Sequence, residues 1–164
     1  MIRGKYLNST DDLSVLFDIR SRVEEFGVGS QPDNHDKMAV YALIFDEQDT
    51  PCGCGRLYID DDSHFRIDTL GVLATHRRVH IGDLIARMLL YRAQMLNAGS
   101  VYADVPDDVM PFFSRYGFVC GEVCENVCGR PAHRMTVPGD GIRLEGSCSK
   151  GKNGCSGNCA DCGS

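Results

Sequence analysis

The sequence predicts a single α/β domain built on a mixed, mostly antiparallel sheet with one parallel pair. Three observations carry this. Strand-like runs at 38–45, 53–60 and 65–73 are joined by short turns, the pattern of an antiparallel meander. The third run passes through a turn into a helical stretch and then into "VYADV" (101–105), a strand–helix–strand unit whose two strands should be parallel. Finally, "FVCGEVC" and "HRMTV" read as a closing hairpin. At 164 residues and 43% hydrophobic content, the chain can bury a core without covalent staples.

Taken in order, Ser9 is placed to cap a first helix, with Asp12 three residues on. Leu13, Leu16, Phe17 and Val23 give that helix one apolar face, and Gly27 and Gly29 end it. "SQPDNHD" (30–36) is an acidic loop. After the meander, a helix runs from about Gly82 to Asn97. Ile81, Leu84, Ile85, Met88, Leu89 and Leu96 share one of its faces, and Gly99 is a good C-cap. A shorter helix spans Asp108–Tyr116 and stops at Gly117. Residues 1–138 form the expected domain, and 139–164 a Gly/Ser/Cys-rich flexible tail with no apolar period.

Net charge is −6, which argues against a nucleic-acid partner, since such a binder shows a basic face. The opening "MIRGKYLNSTDD" has no apolar core of a signal peptide, and no apolar run is long enough to span a bilayer. A cytoplasmic protein without a membrane partner is expected, as a monomer or homodimer. Its nine cysteines should then be thiols or metal ligands rather than disulfides.

"VLATHRRVHIGDLIARMLL" (72–90) carries the strongest functional signal. It reads as a strand end, a turn and a helix start. Free N–H groups and the positive dipole end at such a start suit a phosphate. Arg77 and Arg78 add charge beside it. Glycine usually occupies such turns because the phosphate approaches the backbone closely. His80 instead brings an imidazole. If its φ is positive, the cost is roughly 1–2 kcal/mol, about tenfold in affinity.

The order of these features resembles the GNAT superfamily of acyl-CoA-dependent N-acyltransferases over residues 1–137. The family's cofactor motif is Gln or Arg, two residues, Gly, one residue, then Gly or Ala. Here it reads Arg77-Arg78-Val79-His80-Ile81-Gly82, with His80 in place of the first glycine. "PFFSRYGF" (111–118) looks like the second motif. "RSRVEEFGVGSQPDNHD" and the closing Pro131, His133 and Met135 are similar to the ElaA-like branch. The resemblance implies that the fourth and fifth strands splay apart. Acetyl-CoA would lie in that gap, with its pantetheine arm pairing with backbone around Leu70 and Val72. Its pyrophosphate would be held by the turn of Arg77, Arg78, Val79, His80, Ile81 and Gly82. The acceptor would be a small-molecule or peptide amine.

Amide formation needs a neutral amine, a polarised carbonyl and a tolerated thiolate. Proximity supplies much of the rate, and a general acid or base about 10²–10⁴-fold. Many members of the superfamily use a Tyr on the second-motif helix. By register that position is Phe113, which carries no proton to give. Tyr116, three residues on, and His133 are the remaining candidates for the acid or base. Asp33, Asp36 and Asp104 are candidates to attract a cationic amine. His35, His64 and His76 fall in turns.

In the tail, Cys148, Cys155, Cys159 and Cys162 are spaced C-x6-C-x3-C-x2-C. Four thiolates in so short a segment suit tetrahedral zinc or an iron–sulfur cluster. A disordered, thiol-rich tail is the alternative. Cys120, Cys124 and Cys128 recur across the hairpin. Cys52 and Cys54 alternate within a strand and so should share one face.

Overall fold

The computed structural model describes residues 1–23, 31–61, 63–77 and 79–145. Its strands are β1 (Arg3–Asn8), β2 (Val40–Phe45), β3 (Pro51–Asp61), β4 (His64–Val72), β5 (Ser100–Pro106), β6 (Val119–Val127) and β7 (Arg130–Pro138). They form a seven-stranded sheet in the order β1-β2-β3-β4-β5-β7-β6. All pairs are antiparallel except β4–β5. The helices are α1 (Ser14–Arg22), α2 (Ile81–Met95) and α3 (Met110–Ser114). The predicted mixed α/β architecture is the one observed.

Two apolar clusters sandwich the sheet. Leu16, Ile19 and Val23 of α1 pack with Leu7, Tyr41, Leu43 and Tyr58 on one face. Ile81, Ile85 and Leu89 of α2 pack with Ile44, Leu57 and Val101 on the other, where Phe113 of α3 joins them. Each such fully buried side chain contributes about 1.5–3 kcal/mol. α2 sits low over β3 because Gly53 and Gly55 lack side chains. A Cβ added at Gly55 would fall 2.6 Å from Ile85 Cγ2 and 2.8 Å from Leu89 Cδ1.

Several elements differ from expectation for identifiable reasons. β1 was not anticipated. It is an edge strand with only Leu7 buried, so it shows no apolar alternation. Ser9 does not cap α1. Asn8 Oδ1 accepts from Thr10 N–H at 2.9 Å, Asp11 Oδ2 from Asn8 N–H at 2.8 Å and Asp12 Oδ1 from Ser14 N–H at 3.0 Å. These side-chain bonds hold a turn where the helix was expected to begin. Gly27 and Gly29 lie outside the described residues.

At the end of α2, Asn97 takes the left-handed conformation (φ 55°), a role it shares with glycine. Gly99 serves instead as a close approach to Ser63, whose carbonyl accepts its N–H at 2.9 Å. Leu96 is 48% exposed and leaves the apolar face. α3 is shorter than predicted, because residues 107–109 form a 3₁₀ turn and Tyr116 lies in the turn beyond its end.

Cys52 and Cys54 face opposite sides. Gly53 pairs with Ile44 and Pro51 with Phe45, so Cys52 is an extra residue in a bulge that inverts the alternation. Cys52 packs in the α2 cluster and Cys54 in the α1 cluster. Burial pushes their thiols up to about 11 and about 12 respectively, as expected of inert core fillers. Beyond Pro138 the described chain stays packed. Ile142 is 9% exposed and joins the α2 cluster, Arg143 N–H donates to Tyr116 O at 2.9 Å, and Arg87 donates to Leu144 O.

A Gly55→Ala substitution should destabilise the fold by about 1–3 kcal/mol through overpacking under α2. Urea unfolding measures this directly.

Candidate active site between β4 and β5

β4 and β5 pair only at His64–Ser100, Phe65–Val101 and Arg66–Tyr102. Beyond that point they separate. On its other side β4 continues along β3, but Asp68 opposes Arg56 and Gly71 opposes Cys54. Thr69 and Leu70 therefore share one partner, Gly55, in a bulge. Thr69 occupies left-handed backbone (φ 45°), a rare conformation for a β-branched residue. The bulge bends β4 while β5 stays zipped to β7 along Ser100–Pro106.

A cavity of about 770 Å³ fills the gap. Asp33, Arg56, Arg66, Asp68 and Asp104 form a polar part of its wall, and Val109, Phe112 and Phe113 an apolar part. Leu70 lines it as well. Leu73 N–H donates to Cys52 O at 2.9 Å. By strand alternation the peptide groups of Val72 point the other way, toward the side that β5 has left. Val72 O accepts from Arg77 Nε at 3.3 Å.

The turn after β4 delivers the start of α2 to the same side. His80 is its N-cap, with φ 61° and ψ 17°, and no side chain caps the helix. The positive φ that carries a cost at His80 is the one the backbone adopts. Asp83, the acidic residue of the first turn, is drawn away. Its carboxylate accepts from Arg87 at 2.9 Å, from Arg115 at 3.0 Å and from the Tyr116 hydroxyl. The leading N–H groups of α2 are left without intrahelical acceptors. Ile81 anchors the turn at 2% exposure. At Gly82 an added Cβ would meet Phe112 and Val72 at an ordinary 3.9 Å, so packing does not demand glycine there. A ligand approaching the backbone would.

The sequence profile of the acetyltransferase (GNAT) family matches residues 13–118, a span that includes β4, the turn, α2 and α3. The chain belongs to the GNAT acetyltransferase family. Among solved structures, Escherichia coli ElaA superposes with a TM-score of 0.72 at 19% identity, covering 83% of this chain and 99% of that one. An acyl-CoA N-acyltransferase from Pseudomonas aeruginosa gives 0.70 at 18% identity, covering 83% and 99%. A chain of the NatC complex bound to Gag peptide and CoA gives 0.65 at 14% identity, covering 84% and 98%. At such identities these structures show the shared fold alone.

In this GNAT protein an ionic network crosses the face that α1 covers. Arg56, with its side chain 3% exposed, is its centre. It donates to Asp68 at 2.7 and 2.8 Å, to Asp33 at 2.7 and 3.1 Å and to Asp36 at 3.0 Å. Asp36 also accepts from Arg20 at 2.9 Å and from the Tyr41 hydroxyl at 2.6 Å. Asp33 and Asp36 close a reciprocal capping box on the 3₁₀ turn Asn34–Lys37. Further along, Arg134 donates to Asp104 at 2.8 and 3.1 Å, and Arg66 pairs with Asp104 at 3.3 Å. Burial raises the Asp33, Asp36 and Asp104 carboxyls. Bonds from Arg56 to Asp33, from Tyr41 and the Asp33 N–H to Asp36, and from Arg134 to Asp104 more than offset it, so all three lie below the usual range.

The predicted site residues are distributed unevenly. Asp33 and Asp104 line the cavity, whereas Asp36 is 7% exposed and turned into the network. Tyr116 is 2% exposed and is not among the lining residues. Burial and the Asp83 carboxylate push its hydroxyl up. Phe113 does line the cavity. His133 lies on β7 opposite Val105 and pairs through Nδ1 with Asp107 at 2.7 Å, outside the lining. Val79 is 50% exposed beside the turn. His35 stacks on Tyr58 at 4.3 Å, and His76 Nε2 meets Asp46 at 2.8 Å.

Arg78 and the tail cysteines Cys148, Cys155, Cys159 and Cys162 lie outside the described residues. Among the described residues no group of three or more His, Cys, Asp or Glu could hold a metal, and no helix is long and apolar enough to cross a membrane. Sequence reasoning missed Arg56, Arg66 and Asp68. Their signal was charge at alternate positions inside otherwise apolar strands.

The network should impose acid sensitivity. Asp33, Asp36 and Asp104 have folded pKa values below the unfolded value of about 3.9. Their stabilisation is complete above about pH 4 and is lost as pH falls through the lowered values. Urea unfolding from about pH 7 to about pH 3 should show this loss, and Asp36→Asn should flatten it.

Proposed function

We propose that this protein moves an acetyl group from acetyl-CoA directly to a primary amine of a small molecule or peptide. The observation that supports this most is the continuity of two features. The separation of β4 from β5 leads straight to the uncapped start of α2. In this reading the pantetheine arm pairs with backbone at Leu70 and Val72. The pyrophosphate lies on the N–H groups of Ile81, Gly82 and Asp83, with Arg77 and Arg78 supplying positive charge. His80 holds the turn in its left-handed form at a cost of roughly 1–2 kcal/mol.

The thioester then sits over the apolar wall at Phe113. The amine enters along the wall of Asp33 and Asp104 and loses a proton to water or to a carboxylate. Its nitrogen attacks the thioester carbonyl, a C–N bond forms, the C–S bond breaks, and the acylated nitrogen gives up its second proton to solvent. The CoA thiolate leaves and takes a proton from solvent. Thiols ionise near pH 8.5, so the leaving group is tolerable without a dedicated acid. His133, oriented by Asp107, is a candidate to relay a proton. Tyr116 acts by holding Asp83 clear of the phosphate site.

Calorimetric titration should show acetyl-CoA binding at micromolar strength, and an amine panel should release free thiol. Phe113→Tyr should raise turnover roughly tenfold or more by restoring an acid. Micromolar binding with no thiol release from any amine, in either protein, would mean an acyl-CoA binder that does not catalyse. No binding up to millimolar concentration would remove the cofactor assignment itself.

A further inference from the structure

Among the described residues of the cavity wall, one arginine meets its carboxylates only at longer range. Arg56 has carboxylate oxygens at 2.7–3.1 Å. Arg134 meets Asp104 at 2.8 and 3.1 Å, and Arg130 meets Asp108 at 2.8 Å. Arg66 differs. Its ion-pair oxygens are at 3.3 Å (Asp104) and 4.0 Å (Asp68). Its Nε is buried with no hydrogen-bond partner among the described residues, while the Tyr102 hydroxyl hydrogen-bonds elsewhere on the guanidinium. Its side chain is 27% exposed and lines the cavity, and its guanidinium stands 5.6 Å from the Tyr102 ring centroid. A guanidinium carries five donors in a planar fork that fits a carboxylate. The occluded Nε cannot meet a ligand, but the side chain is part-exposed on the cavity wall, so the outer edge of the fork is what Arg66 offers.

The surrounding charges narrow the ligand further. Asp33, Asp68 and Asp104 face the cavity with Arg56, Arg66 and Arg130, a wall balanced in charge. A bare cation or a bare anion would unbalance it in a partly desolvated space. A zwitterion would not. Arg66 and Asp68 are two residues apart on one strand and so lie on one face of β4. That offers a carboxylate site and an ammonium site side by side.

We infer that the acceptor is a small amino-acid-like zwitterion, whose carboxylate docks on Arg66 while its amine lies toward Asp68 and Asp104. The inference rests on the transferase reading for the word acceptor, but the binding preference itself does not depend on turnover.

The test is equilibrium binding by calorimetry, with and without CoA. The panel holds the common amino acids, each beside its methyl ester and its decarboxylated amine. The free amino acid should bind at least tenfold more tightly than its two partners in the best-bound set. Arg66→Met should reduce that preference below about twofold while CoA binding persists, which also shows that the variant is folded. Arg66→Lys keeps the charge without the fork and should retain an intermediate preference; it decides the matter if the methionine variant does not fold. Equal or weaker binding of the free amino acid in every set, or a preference untouched by both substitutions, overturns the inference. If CoA binds and the preference is absent, the inference falls and the transferase reading stands. If the preference is present and CoA does not bind, the reverse holds.

Discussion

β4 can satisfy its backbone along only one edge once it passes Arg66, and the rest of the site follows from that constraint. Pairing with β3 continues to Val72, while pairing with β5 ends after three residues. Unpaired peptide groups within a sheet are unstable unless something bonds them. In the proposed reading the gap receives an extended ligand whose polar groups stand in for the missing strand. Thr69, in left-handed backbone, is where β4 turns away. The strain there is the local cost of keeping the sheet open.

The two faces of the opened sheet have been given different chemistry. Toward α2 and α3 the wall is apolar, with Phe112 and Phe113 in edge-to-face contact at 5.4 Å. Toward α1 it is ionic and centred on Arg56. In the proposed reaction each reactant would meet a wall of its own character, the thioester the apolar one and the amine the ionic one. Buried ion pairs seldom add much net stability. Their value here is positional. Arg56 ties the 3₁₀ turn at Asn34–Lys37 to β3 and β4, so the acidic rim is held against the gap.

Much of this was legible in the sequence. The apolar period at Ile81, Ile85 and Leu89 defined α2, and the strand–helix–strand order set the parallel pair. The stretch from Arg77 to Gly82 reads as a turn into a helix, and His80 is the N-cap of α2. Less legible were features whose signal is not apolar period. β1 is an exposed edge strand and shows only Leu7. The bulges at Cys52 and Thr69 depend on register, which a period-two pattern cannot reveal. The Arg56 network was not legible, because residues distant in sequence neutralise one another only after folding. Tyr116 stood near the right place in the second motif, yet its hydroxyl is committed to Asp83. His133 likewise answers to Asp107.

The central claim is that the open edge of β4 and the start of α2 form one continuous cofactor surface. Amide-resolved NMR during titration with CoA tests it most directly. The largest shifts should fall on Leu70, Val72, Ile81, Gly82 and Asp83, with small changes along β1 and β6. Shifts concentrated on α1 or β6, with Val72 and Gly82 unmoved at saturation, would contradict the account.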